Sequence, residues 1–289
     1  MKKAFLQLHI AILLAGFTGI LGRLITLNEG LLVWYRLFFT VIFLWAMYAL
    51  APRSLTSGKA GLLPVYAVGG LVALHWVFFY GSIKYANVSI GLVCFSAVSF
   101  FTAVFDTIIT GRKNDIREWM LGLLVMVGIY LIFHFDPKYK TGILLGIVSS
   151  ALAALFTIFN KRLLKKHSAM DLTRHQLTGG WLLLTVLLPL YLYFFPVQTL
   201  MPSWSDTGWL LFLSLFCTVL AYNLSMSALR SISPFTVNLS YNLEPLYGIL
   251  LAFLLYREDK ELESGFYYGM AIIVFTVLIQ SWRVWKKKA

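Results

Sequence analysis

Ten apolar stretches, each about as long as a bilayer is thick, constrain this chain more than any other feature. A helix needs roughly 20 mostly apolar residues to cross about 30 Å of hydrocarbon. Such runs lie at approximately 5–25, 31–51, 62–82, 87–109, 118–135, 142–161, 173–195, 208–229, 235–256 and 266–283. The gaps carry loop punctuation, for example Pro52-Arg53-Ser54-Leu55-Thr56-Ser57-Gly58-Lys59 and Arg257-Glu258-Asp259-Lys260-Glu261. Of 289 residues, 60% are hydrophobic and 12% charged, about half the charge fraction of a soluble domain. The expected class is an all-α integral membrane protein, and soluble enzymes are excluded. The first run is read as a span, because no small-x-small cleavage site follows Leu14-Ala15-Gly16.

The net charge of +12 sits in the short gaps rather than on one soluble face, so it orients the chain in a membrane instead of recruiting nucleic acid. With the N-terminus inside, the inner helix ends hold 17 Lys and Arg and the outer ends 6; Arg36 inside a span completes the 24. Both termini are therefore expected on the cytoplasmic side of a cytoplasmic (inner) membrane. Cys94 and Cys217 lie in apolar runs without metal-ligand spacing and read as small buried side chains. No metal or other cofactor is expected.

An internal repeat appears at an offset of 146 residues. Ser82-Ile83-Lys84-Tyr85-Ala86-Asn87 falls on Ala228-Leu229-Arg230-Ser231-Ile232-Ser233, and Ser96-Ala97-Val98-Ser99 falls on Asn242-Leu243-Glu244-Pro245. Two five-helix halves, 1–139 and 140–289, follow. Five is odd, so the second half enters the membrane in the opposite sense. Inverted repeats of this kind build many secondary transporters, with the site at the midplane between the halves.

The ten spans in two halves carry Arg36-Leu37-Phe38 near the start of span two and Ala228-Leu229 with a short turn to Pro234. They also carry Leu243-Glu244-Pro245 followed by Leu255-Tyr256-Arg257-Glu258. In this order and spacing the chain resembles the EamA-type transporters of the drug/metabolite transporter superfamily. The resemblance covers essentially the whole chain and implies a cytoplasmic-membrane permease, commonly an exporter of amino acids and related metabolites. The first half departs from the pattern: Ser99 and Arg112 stand where the family often has a proline and an acidic residue.

Glu244 is the most informative single residue, since an ionised carboxylate costs several kcal/mol near the bilayer centre unless it is paired or neutralised. It reads either as a group that couples transport to a proton or as a protonated clamp hydrogen-bonded to a neighbouring helix. Pro245 beside it removes a helix hydrogen bond and makes a kink. Asn238, Tyr241, Asn242 and Pro245 recur at helical spacing as one polar stripe, lining a cavity or bonding another helix. Arg36, about five residues into span two and so roughly 8 Å from its outer end, either snorkels outward or binds a carboxylate. Its counterpart in the inverted half lies near His175-Gln176. His75, Trp76 and Tyr80 in span three, with Tyr222 and Asn223 in span eight, are candidate cavity residues, packing being the alternative; Trp76 maps onto Tyr222.

Asp106 is expected to pair with Arg112 or Lys113, and Trp34-Tyr35 and Trp282-Trp285 to form interfacial belts. Gly142-x-x-x-Gly146 and Gly265-x-x-x-Gly269 permit close helix approach. The expected function is secondary transport of small metabolites by alternating access, without direct use of ATP, because no Gly-x-x-x-x-Gly-Lys-Ser/Thr loop is present. The alternatives are an intramembrane enzyme acting on a lipid-linked substrate and a passive channel. Against the enzyme, no His-Glu-x-x-His, Gly-x-Ser-x-Gly or Asp-rich motif occurs.

Overall fold

A computed structural model describes residues 2–50, 61–111, 115–133, 139–260 and 264–286. Ten helical rods run through it: α1 (Lys2–Leu24), α2 (Glu29–Leu50), α3 (Leu63–Tyr85), α4 (Val88–Thr110), α5 (Ile116–Phe133), α6 (Lys140–Leu163), α7 (Ala169–Phe194), α8 (Trp204–Leu229), α9 (Pro234–Tyr256) and α10 (Ser264–Lys286). Eight of them, all but α5 and α10, meet the length and hydropathy of a bilayer crossing over their described residues; no strand occurs among the described residues. Consecutive rods alternate in direction, so Lys2 and Lys286 share one face, here the N-terminal face. Large apolar side chains such as Leu13, Ile108, Leu144, Val186, Leu254 and Phe275 point outward, as a lipid-solvated bundle requires.

Helix packing obeys the repeat. Exchanging each of α1–α5 with the helix five later turns α3 against α6 and α7 into α8 against α1 and α2, and α4 against α6 into α9 against α1; all of these pairs pack. The pairs α2–α7, α4–α9 and α5–α10 map onto themselves and also pack. An inverted repeat of five helices produces this pattern.

Small residues set the closest approaches. A Cβ on Gly142 would lie 2.6 Å from Ala86 Cβ, and one on Gly146 2.5 Å from Cys94 Cβ, so this glycine pair seats α6 against α3 and α4. Gly269 takes part in the same way, its carbonyl lying 2.8 Å from a Cβ built on Gly128, where α5 meets α10. The Asp106 side chain is buried, and Arg112 and Lys113 lie outside the described residues, as does the Trp285 side chain. Trp34 is half-buried, with its indole N–H on Thr185 (2.9 Å), and Trp282 is exposed.

Three rods are irregular at mid-depth. Both α4 and α9 break, between Phe95 and Val98 and between Tyr241 and Glu244. Three-residue turns bridge the breaks, with Ala97 N–H on Cys94 O and Leu243 N–H on Ser240 O. These positions are 146 residues apart, so α4 keeps the interruption although Ser99 stands where α9 has Pro245. In α8, residues Leu215–Leu220 wind as a π-helix that α3 does not share.

The repeat also explains a strained residue. Gly111, the C-cap of α4, has φ 66°; its mate at the end of α9 is Arg257, with φ 57°. Left-handed backbone costs a non-glycine residue about 1–2 kcal/mol. The strain turns the next residue, Glu258, back under the start of α4, where its buried carboxylate accepts from Val88 N–H, Ser89 N–H and Ser89 Oγ (3.2, 3.0 and 2.6 Å) and pairs with Arg23. Arg257→Gly relieves the strain and gives back part of it in unfolded-chain entropy. Thermal unfolding in detergent should show a gain of up to about 1 kcal/mol with transport unchanged.

Candidate functional site

The three irregular helices surround one cavity. Its wall runs from Arg36 and Phe79, six or seven residues short of the opposite face, through His75, Trp76, Cys217 and Glu244 to Asn160, Val237 and Leu229 near the N-terminal face. Its volume is about 100 Å³, well below the ~300 Å³ at which drug-sized pockets begin. A drug-sized ligand therefore enters only if the helices move apart.

Arg36 does not snorkel. It is 2% exposed, and its Nε donates to Thr218 Oγ1 (2.7 Å), Nη1 to Tyr80 Oη (2.9 Å) and Nη2 to the Cys217 carbonyl (3.4 Å), while the guanidinium lies 3.8 Å from the Trp76 ring centre. The π-helix makes this possible. Widening the turn presents Cys217 O to the guanidinium, and Thr218 Oγ1 passes its own proton five residues back to Leu213 O (2.9 Å). Three of the five guanidinium N–H donors are engaged and two remain. Among the described residues no carboxylate lies within 4 Å of Arg36, so a buried cation faces the cavity without a direct counter-ion.

Glu244 opens the second half of α9, with Pro245 next in its first turn, and is 4% exposed. No hydrogen bond reaches its carboxyl from another described residue, and it lines the same cavity as Arg36. Pro245 shapes the backbone and does not line the cavity.

Nearer the N-terminal face is a second polar cluster. Asn160 Nδ2 donates to Tyr222 Oη (3.2 Å), Tyr222 Oη to Gln176 Oε1 (3.0 Å) and Gln176 Nε2 to Asn160 Oδ1 (2.5 Å), which closes a ring. This ring is the inverted mate of the arginine site: Gln176 on α7 meets Tyr222 on α8 as Arg36 on α2 meets Trp76 on α3. Trp76 and Tyr222, paired by the 146-residue offset, touch edge-on across the cavity at 6.3 Å. Asn238 links α9 to α6 and α4 by accepting from Thr157 Oγ1 (3.2 Å) and donating to Thr102 Oγ1 (2.8 Å). His75 Nδ1 lies 3.0 and 2.8 Å from the carbonyl and hydroxyl oxygens of Ser149.

Arg36, His75, Trp76, Tyr222, Asn238, Tyr241 and Glu244 thus share one wall. Three expected lining residues do not. Tyr80 lies behind Arg36 as its hydrogen-bond acceptor. Asn223 sits one residue, about 100°, from the face on which Tyr222, Ser225, Met226 and Leu229 look into the cavity. Asn242 lies in the break of α9 and donates across to Ser99 Oγ of α4 at 3.3 Å, the interhelical option. The expected stripe presumed an unbroken helix; the break resets its phase. Asn160, Gln176 and Thr157 went unmarked, except that Gln176 falls at the place proposed for the counterpart of Arg36. Among the described residues no group of three His, Cys, Asp or Glu is arranged to hold a metal.

Comparison with known proteins gives one consistent answer. The profile of the EamA-like transporter family matches twice, at residues 2–134 and 140–282. A curated relative, an "uncharacterized transporter" of Archaeoglobus fulgidus, is 26% identical over 205 residues, 69% of each chain. A solved crystal structure superposes over the whole of both chains with a TM-score of 0.73 at 15% identity, which speaks for the fold alone. With both halves matched and ten helices in an inverted repeat, the chain belongs to the EamA-like transporter family of the drug/metabolite transporter superfamily and is a multi-pass membrane transporter of small molecules.

Proposed function

We propose that the chain is a secondary transporter that exports amino acids or related carboxylate-bearing metabolites across the cytoplasmic membrane by alternating access, with both termini in the cytoplasm and the halves dividing near residues 139 and 140. The observation that carries this reading is Arg36: a buried cation with two free N–H donors on a cavity wall, at a depth where a charge persists only if it is used. The two free donors suit a carboxylate, and the Trp76 and Tyr222 rings supply flat apolar area beside it. Glu244 supplies a proton-binding carboxyl on the same wall, and among the described residues none makes with it the helix-to-helix hydrogen bond that a clamp requires.

Purified protein in sealed vesicles with an imposed pH gradient should accumulate a labelled amino acid against its concentration gradient. Equilibration alone, without accumulation, belongs to a channel and would overturn the reading. Reporter fusions check the orientation: one after Lys166 should read cytoplasmic and one after Lys140 external. The reverse pattern would invert the direction of export.

A further inference from the structure

We propose that a cationic cleft on the N-terminal face, between the α6–α7 loop and the α8–α9 turn, binds a phosphate-bearing group of net negative charge, supplied either by a lipid headgroup or by a soluble phosphorylated compound. The cleft has a volume of about 630 Å³ and is lined by Lys161, Lys165, Lys166, His167 and Arg230, with Leu164 and Ser168. Four Lys and Arg side chains converge there and no acidic side chain lines it. The Asp171 carboxylate, bonded to Ser168 of the lining, is committed: it accepts a hydrogen bond from the Ser168 hydroxyl (2.7 Å) and pairs with Arg174 (2.9 Å).

The cations divide into a frame and free arms. Lys161 is part of the frame, its ammonium donating to the Leu229, Arg230 and Ile232 carbonyls, which ties α6 to the frayed end of α8 and uses all three of its protons. Arg230 spends one N–H on His167 O and keeps four. Lys165 and Lys166 are exposed, and their ammonium groups make no hydrogen bond or ion pair with another described residue. Strong donors thus surround a concave space at the helix ends, the level of lipid headgroups, where clusters of Lys and Arg attract anionic phosphates. The site lies outside the transport cavity but shares its elements, since Asn160 and Leu229 line the cavity one residue before Lys161 and Arg230 line the cleft. An occupant would bear directly on the helix ends that must part at this face.

The test titrates detergent-purified protein with phosphatidylglycerol, phosphatidylcholine and glycerol phosphate, reading added thermal stability and adducts in native mass spectrometry. The full chain is compared with a Lys165→Gln, Lys166→Gln, Arg230→Gln variant. At about fivefold per cation near an anionic surface, the variant should bind on the order of 100-fold more weakly. Should loss of the Arg230–His167 bond prevent its isolation, the double variant at the two exposed lysines should still show a loss of roughly 30-fold. Saturable binding of phosphatidylglycerol alone identifies a lipid headgroup as the source, and binding of glycerol phosphate identifies a soluble phosphate. Equal binding of phosphatidylcholine, equal binding by wild type and variant, or an equal loss in a Lys2→Gln, Lys3→Gln, Lys140→Gln control would each overturn the proposal.

Discussion

Arg36→Gln should weaken transport of carboxylate substrates by roughly 10- to 150-fold, the worth of about 1.5–3 kcal/mol for hydrogen bonds to a charged partner, while leaving folded protein in the membrane. Glutamine keeps an amide donor for Thr218 or Tyr80 but offers a carboxylate no charge. Arg36→Lys separates charge from shape. It keeps the cation and loses the two-pronged donor set and the flat stacking on Trp76, so its affinity should fall between those of wild type and the glutamine variant. If Arg36 only fastened α2 to α3 and α8, both variants would lose folded protein in parallel, and the affinity of whatever remained would be unchanged. Uptake at several substrate concentrations, normalised to correctly folded protein, distinguishes the two outcomes.

Gly69→Ala should cost more stability than alanine at any other glycine whose surroundings the structure describes. A Cβ at Gly69 would lie 1.9 Å from the carbonyl oxygen of Gln176, and this neighbour is backbone, which no side-chain rotation relieves. The opposing surface is equally tight: a Cβ on Gly180 would meet Gly69 O at 2.7 Å, and one on Gly179 would meet Tyr66 Cα at 2.6 Å. Accommodating the methyl group means separating α3 from α7 by more than an ångström along a helix that also carries His75 and Trp76. Ordinary overpacking costs about 1–3 kcal/mol; a backbone clash at a helix crossing should exceed that range and sharply lower the yield of folded protein. Gly61→Ala, where nothing lies within 4 Å, is the matched control and should leave yield unchanged.

The parts of this molecule that depend on helix length and on internal repetition were legible in the sequence. Ten apolar runs became ten rods because bilayer thickness leaves a helix little choice, and the 146-residue offset matched Ser96 to Asn242, which sit in corresponding helix breaks, and Trp76 to Tyr222, which touch. The parts that depend on winding were not. Hydropathy carries no trace of the π-turn at Leu215–Leu220, yet that turn is what presents Cys217 O and Thr218 to Arg36. The interruption of α4 carries no proline and shows only through its mate in α9. Gln176 stood out in the sequence only as the counterpart of Arg36 and Asn160 not at all, because their significance comes from three helices closing a ring that no single helix encodes.

The central claim is that the cavity holding Arg36 and Glu244 binds substrate and couples it to protons, and uphill transport by a Glu244→Gln variant tests it most directly. Glutamine has nearly the shape of a protonated glutamate, so the helix break at Asn242 and Leu243 and the packing around it should persist. Wild type in sealed vesicles should accumulate a labelled substrate when a pH gradient is imposed. The account predicts that Glu244→Gln, present at wild-type levels, still exchanges substrate across the membrane but loses accumulation driven by the gradient. Undiminished pH-driven accumulation by that variant would contradict the account.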